Sequence, residues 1–150
     1  MAEIEEIFKA AHARAREMGL PYAGALLPSE AHALLRNAPG AKLVDVRSRA
    51  ELDFVGRVPG SVDIEWKSYP GMRPNPQFIE QLTQQVPPAA VVMFLCRSGG
   101  RSHETAAAAA QEGYRDAYNI LQGFEGDRDS TGHRNTVGGW RASGLPWVQS

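Results

Sequence analysis

The residues able to do chemistry concentrate in one run, Cys96-Arg97-Ser98-Gly99-Gly100-Arg101-Ser102. Cys96 is the only cysteine, and it ends the apolar stretch Val91-Val92-Met93-Phe94-Leu95, which has the character of a buried strand. A short loop with two glycines and two arginines follows, and Ser102 then opens an alanine-rich helix. Strand end, tight loop and helix N-terminus aim backbone N–H groups and a helix dipole at a single point. A thiolate held there is stabilised, so the cysteine is expected to be acidic and reactive. Gly99 and Gly100 let the backbone curl around the sulfur as a nest for an anion. Arg97 and Arg101 add fixed positive charge that can draw in an anionic substrate. The hydroxyls of Ser98 and Ser102 can donate to the same anion, although Ser102 is equally well explained as a helix cap. A cysteine that merely filled a core would have no use for such flanks.

The elements that must hold this loop can be read from hydrophobic periodicity. Residues 3–18 form an amphipathic helix with Ile4, Ile7, Phe8, Ala11 and Ala15 on one face and Gly19 as its stop. Pro28-Ser29-Glu30 starts a second helix that ends near Pro39-Gly40. Lys42–Val46 is a compact buried strand, Arg49–Phe54 a helical turn, and Val62–Trp66 a further strand. Asn75-Pro76 reads as an N-cap with proline in the first turn, predicting a helix to about Gln85. Ala90–Leu95 leads into the cysteine loop, the next helix spans Ser102 to about Glu112, and Ala117–Leu121 is the last strand. Strands alternating with helices indicate an α/β fold, a central parallel sheet with helices on both faces. In such sheets the site lies at the carboxyl ends of the strands, where Cys96 falls.

The segment 123–139 is different: polar, glycine-rich, without periodicity, and carrying Glu125, Asp127, Arg128, Asp129, His133 and Arg134. A loop this long in a compact domain is usually functional or mobile. It is expected to lie beside the cysteine pocket and to govern acceptor access. After it, Gly139-Trp140-Arg141 through Leu145-Pro146-Trp147 returns apolar bulk that packs the last helix and the C-terminus onto the sheet.

Composition narrows the function classes. The chain has 150 residues, enough for one well-cored domain, and a net charge of −1, which gives no electrostatic footprint for nucleic acid or an acidic membrane. No apolar run reaches membrane-spanning length. The start, Met1-Ala2-Glu3-Ile4-Glu5-Glu6, is acidic where a signal peptide would be basic. A lone cysteine permits no internal disulfide, which suits a reducing compartment, and cytoplasmic residence is expected. The four histidines, His12, His32, His103 and His133, show no metal-pair spacing, so neither a metal nor another cofactor is expected. His103 is expected to be a solvated surface residue.

Four stretches in order carry a resemblance: Leu43-Val44-Asp45-Val46-Arg47 with Glu51; Gly56-Arg57-Val58-Pro59-Gly60-Ser61; the Cys96–Ser102 loop; and Gly139-Trp140 with Gly144-Leu145-Pro146. Together they resemble a single-domain rhodanese, of the sulfurtransferase family. The resemblance spans about 28–148 and divides the chain into an N-terminal helical extension, 1–27, and a rhodanese domain, 28–150. It implies the rhodanese-like fold and a thiosulfate sulfurtransferase-type activity through a persulfide on Cys96, with Arg97, Ser98, Gly99, Gly100, Arg101 and Ser102 binding donor and persulfide. It further implies a thiosulfate-like sulfane-sulfur donor and a thiol or protein-cysteine acceptor as partners. Asp45 and Arg47 are implied as scaffold support, with Arg47 to Glu51 a plausible i,i+4 pair. One alternative is a persulfide carrier that hands sulfur only to a docked protein. Another is a cysteine phosphatase or arsenate reductase. That chemistry needs a wider loop than the four residues separating Cys96 from Arg101, and the histidine that usually precedes a phosphatase cysteine is here Leu95.

Overall fold

The computed structural model describes residues 2–149. In chain order its elements are α1 (Ala2–Met18), β1 (Gly24–Leu26), α2 (Pro28–Asn37), β2 (Lys42–Asp45), α3 (Arg49–Phe54), β3 (Val62–Asp63), β4 (Lys67–Ser68), β5 (Arg73–Pro74), α4 (Phe78–Gln85), β6 (Val92–Leu95), α5 (Gly100–Gln111) and β7 (Ala117–Ile120). Five strands form one parallel sheet in the order β1-β7-β6-β2-β3. The strand that leads to Cys96 is therefore the central one, flanked on both sides and buried on both faces. That position explains why β6 reads as an unbroken apolar run and not as an alternating one.

Successive side chains of a strand point to opposite faces, and the core divides accordingly. Val92, Phe94 and Cys96 join Val44 and Val46 under α4 and α5, against Phe78, Leu82, Ala106 and Ala109. Met93 and Leu95 join Leu43 on the other face, under α1 and α2, against Ile7, Ala11, Ala31 and Leu34. The alanines of α5 at 106 and 109 are fully buried, as a helix lying close on a sheet requires.

Several elements depart from the sequence reading. The strand β1 is not anticipated; three residues are too few to show a period, yet Gly24, Ala25 and Leu26 pair in register with Tyr118, Asn119 and Ile120. The short β4–β5 hairpin is likewise new. β3 is regular only over Val62–Asp63, although Ile64 N–H and Trp66 N–H still donate to Asp45 O and Val46 O at 3.0 and 3.1 Å. Asn75 does not cap α4, which starts at Phe78. Its Oδ1 instead accepts the Gln77 N–H, while its Nδ2 donates to Glu65 O and Gln81 Oε1. The Trp140 ring is fully buried, as the returning apolar bulk requires, and its Nε1 donates to Pro146 O at 2.7 Å. Among the described residues no helix is long and apolar enough to cross a membrane.

Candidate functional site

Cys96 lies directly after β6, at the carboxyl end of the sheet, with only 1% of its surface exposed. Gly99 N–H donates to Sγ at 3.1 Å, and Ser102 Oγ lies 3.2 Å from it. The left-handed backbone of Gly99, φ +112°, turns its amide back over the sulfur. A side chain at this position would be strained, whereas Gly100 already begins α5 with open space around it. Gly99→Ala is thus expected to cost about 1–3 kcal/mol in denaturant unfolding, and Gly100→Ala about 0.5 kcal/mol or less in either direction.

Ser102 is not the cap of α5, which begins two residues earlier with Gly99 in the cap position. Its hydroxyl has another task. Ser102 Oγ donates to Asn119 Oδ1, and Asn119 Nδ2 donates to Gly99 O at 3.2 Å, which orients the amide. With its proton directed at Asn119, Ser102 Oγ is left to accept from the Cys96 S–H. Tyr22 continues this polar line outwards, its hydroxyl 2.7 Å from His103 Nδ1. Burial raises the Tyr22 phenol against the opposing pull of Asn119. His103 itself is exposed. Asn119 and Tyr22 escape the sequence reading. The one available signal for Asn119 is a polar residue inside an otherwise apolar strand.

The two arginines of the loop have different fates. Arg101 is bound in a fork to Glu51, Nη1 to Oε1 at 2.7 Å and Nη2 to Oε2 at 2.9 Å, with both side chains nearly buried. Burial would raise the Glu51 carboxyl, but the Arg101 fork and charge, with Ser48 N–H and hydroxyl, hold it down at about 2. Burial would lower the Arg101 guanidinium, yet Glu51 outweighs it and holds the group above its ordinary value. Arg101 therefore shapes the loop, its charge largely matched. Arg97 is exposed, with no ion pair among the described residues. The expected Arg47–Glu51 pair does not form, because Glu51 faces Arg101 across the site.

A family model, Rhodanese-like domain, matches residues 27–129. The crystal structure of Rv0390 from M. tuberculosis is similar at 43% identity and a TM-score of 0.79, covering 86% of this chain and 99% of that one. An uncharacterized Rickettsia conorii protein is 33% identical over 125 residues, 79% of this chain and 92% of that one. The chain belongs to the rhodanese-like domain family. The solution structure of the polysulfide-sulfur transferase homodimer from Wolinella succinogenes shares the fold, at 22% identity, a TM-score of 0.59, and coverage of 99% and 89% of the two chains.

In this rhodanese-like domain Asp45 and Arg47 sit at the carboxyl end of β2 but away from the sulfur. Arg47 Nε and Nη2 fork onto Asp45 at 2.9 and 2.7 Å, Nη2 also donates to Gly56 O at 2.7 Å, and both residues are fully buried. The guanidinium stacks 4.3 Å from the centre of the Phe124 ring, which belongs to the α1–α2 side of the sheet. Cys96 packs on the α4–α5 side. Burial pushes the Asp45 carboxyl upward against the opposing hold of Arg47. The pair ties β2 to the Gly56 turn and to Phe124.

The segment 123–139 leaves β7 beside the cysteine loop. Phe124 N–H donates to Cys96 O at 2.8 Å and Glu125 N–H to Arg97 O at 3.0 Å. At Gly123 a Cβ would stand 2.5 Å from the Cys96 and Arg97 backbone, so only glycine permits this approach. Trp140 N–H then closes the excursion onto Gly123 O at 2.9 Å. The tip is organised around Asp129, whose carboxylate accepts from His133 N–H, Thr131 N–H and the hydroxyls of Thr131 and Thr136. These donors, His133 N–H foremost, hold that carboxyl below its usual range. The sequence reading allowed a mobile segment; the observed one is knitted by its own hydrogen bonds.

Proposed function

We propose that the chain is a sulfurtransferase that moves sulfane sulfur from an anionic donor such as thiosulfate to a thiophilic acceptor through a persulfide on Cys96. The thiolate attacks the outer sulfur of thiosulfate, a new S–S bond forms, and sulfite leaves with the electron pair of the old one. An acceptor thiolate, or cyanide in an assay, then takes the outer sulfur and returns the pair to Cys96 Sγ. The observation that carries this reading is the Cys96 environment: one sulfur at the carboxyl end of the central strand, faced by Gly99 N–H and Ser102 Oγ. Ser102 can rotate from Asn119 to donate to an anionic sulfur, and exposed Arg97 is available to attract the donor. Reducing surroundings suit a lone thiol with this role, and we place the activity in the cytoplasm.

The test is intact mass after incubation with thiosulfate. One added sulfur atom, removed again by cyanide or a dithiol, is the expected result. Turnover with small acceptors distinguishes an enzyme from a persulfide carrier, which would load once and discharge only to a docked protein. No Cys96-dependent hydrolysis of aryl phosphates is expected, because only four residues separate Cys96 from Arg101 and Arg101 is committed to Glu51. Phosphatase turnover matching sulfur transfer would reverse that assignment.

A further inference from the structure

The contacts around Cys96 close into a ring that begins and ends on Gly99. Gly99 N–H donates to Sγ at 3.1 Å, and Sγ lies 3.2 Å from Ser102 Oγ. Ser102 Oγ donates to Asn119 Oδ1, and Asn119 Nδ2 donates back to Gly99 O at 3.2 Å. The direction of every bond follows from the last one. A backbone carbonyl can only accept, so the Asn119 amide must present its NH2 to Gly99 O and its oxygen to Ser102. That oxygen also can only accept, which takes the single hydroxyl proton of Ser102. A lone pair of Ser102 then faces the sulfur, and only an S–H satisfies it. With a thiol, all four bonds run in one sense, the arrangement in which hydrogen bonds strengthen one another. A thiolate breaks that sense. Ser102 must either point a lone pair at an anion or turn its proton to the sulfur. In the second case Asn119 Oδ1, on a residue only 3% exposed, loses its partner. The charged groups nearby are engaged elsewhere. Arg101 of α5 is forked to Glu51 of α3, and Glu104, further along α5, takes Trp66 Nε1 and Lys67. Tyr22 is bonded to His103, and Asp45 and Arg47 of β2 pair with each other. Arg97 is exposed, and α4 presents apolar Phe78 and Leu82 to this core.

We propose that Asn119 is a positioning residue for Cys96: it holds Ser102 in the accepting pose and so weights the idle sulfur toward its protonated, unreactive form between turnovers. Its place in the cycle rests on the sulfur-transfer reading. When a donor loads Cys96, the persulfide carries negative charge, and Ser102 leaves Asn119 to donate to it. On discharge an acceptor thiolate bonds to the outer sulfur. The Sγ–S bond breaks, its electron pair stays on Sγ, and the acceptor leaves as a persulfide. Sγ then takes a proton from solvent, Ser102 swings back to Asn119, and the ring closes. No external oxidant or reductant is needed. Asn119 thus opposes loading, favours discharge, and shields the lone thiol from stray electrophiles.

Alkylation of Cys96 by iodoacetamide, followed by intact mass over a pH series, tests the ring without any sulfur transfer. Asn119→Val fills the strand position without a polar atom. It should lower the midpoint of the rate profile by about 0.5–1 pH unit, the scale of one hydrogen bond. A mere loosening of the loop would raise the rate at every pH and leave the midpoint in place. In a Ser102→Ala background the same substitution should not move the midpoint, because Asn119 acts only through that hydroxyl. An unmoved or raised midpoint, or the same shift without the Ser102 hydroxyl, overturns the proposal. The infrared S–H band, single because the chain has one cysteine, gives a second measurement that needs no Asn119 variant. In the wild type it should lie below that of a free thiol and move up in Ser102→Ala. A wild-type band at the free-thiol position would overturn the ring as well. After loading with thiosulfate and removal of the donor, Asn119→Val should discharge to 2-mercaptoethanol about three- to fivefold more slowly than wild type. Equal or faster discharge would remove Asn119 from the cycle. A wild type that takes up no sulfur is a different result: it overturns the sulfur-transfer reading, and the alkylation shift still decides the ring.

Discussion

Cys96→Ser is expected to take up no sulfur from thiosulfate and to lower thiosulfate-to-cyanide transfer by about a thousandfold or more, the scale on which loss of a covalent nucleophile is felt. A serine hydroxyl is not ionised at neutral pH and cannot form the persulfide. The fold should survive. Serine is nearly isosteric, and its oxygen can accept the Gly99 N–H and exchange a hydrogen bond with Ser102 Oγ, as the sulfur does now. The site is fully buried between β6 and α5, so a stability loss of about 1–2 kcal/mol is the expected scale for a small, polar-for-apolar change. Circular dichroism and denaturant unfolding would verify the fold, and intact mass would verify the missing load. Undiminished transfer by a folded serine variant would remove Cys96 from the mechanism.

Glu51→Gln should be the most costly substitution among the residues that support the loop. It leaves the Arg101 guanidinium, 12% exposed, facing a neutral amide, and a nearly buried charge without its partner costs about 2–3 kcal/mol. The pH dependence identifies the cause. The carboxyl stands at about 2 in the folded chain against an ordinary 4.5, so its contribution is fully present above about 4.5. It is lost progressively as the pH falls from there towards 2, where the folded form also takes up the proton. The gap between wild type and Glu51→Gln should thus be constant from pH 7 to about 5 and shrink below it. Chemical denaturation at a series of pH values measures this directly. A gap that persisted unchanged down to pH 3 would mean that the substitution acts through packing and not through the lost charge.

Much of the frame is legible in the sequence because it depends on local patterns. The apolar run before Cys96 marks a strand buried on both faces, the alanines behind it mark a helix that lies close, and alternating strands and helices mark a parallel sheet. The site loop is legible for the same reason: its sulfur, glycines and helix start are contiguous. Where contacts link distant segments, local reading fails. Glu51 looks like the partner of Arg47 because four residues separate them on a helix. The chain instead turns at Ser48, with a capping box joining Ser48 and Glu51, and carries the carboxylate across to Arg101.

By itself the sequence determined the fold class, the position of Cys96 at the carboxyl end of a parallel strand and the membership of the rhodanese-like family. Period, loop composition and the order of motifs are properties of neighbouring residues. The tertiary structure alone decided which charges are free. Arg97 and Arg101 are equivalent as letters, but α3 brings Glu51 to one and nothing to the other. Asp45 and Arg47 end a strand beside the cysteine strand, yet side-chain alternation sends them to the opposite face of the sheet. Asn119 reaches the sulfur's partner Ser102 only because β7 pairs with β6 in a register that sets it beside Phe94. An ion pair or a buried hydrogen bond needs two groups within about 3 Å. That distance is set by how the sheet is ordered and registered, and no one-dimensional pattern records it.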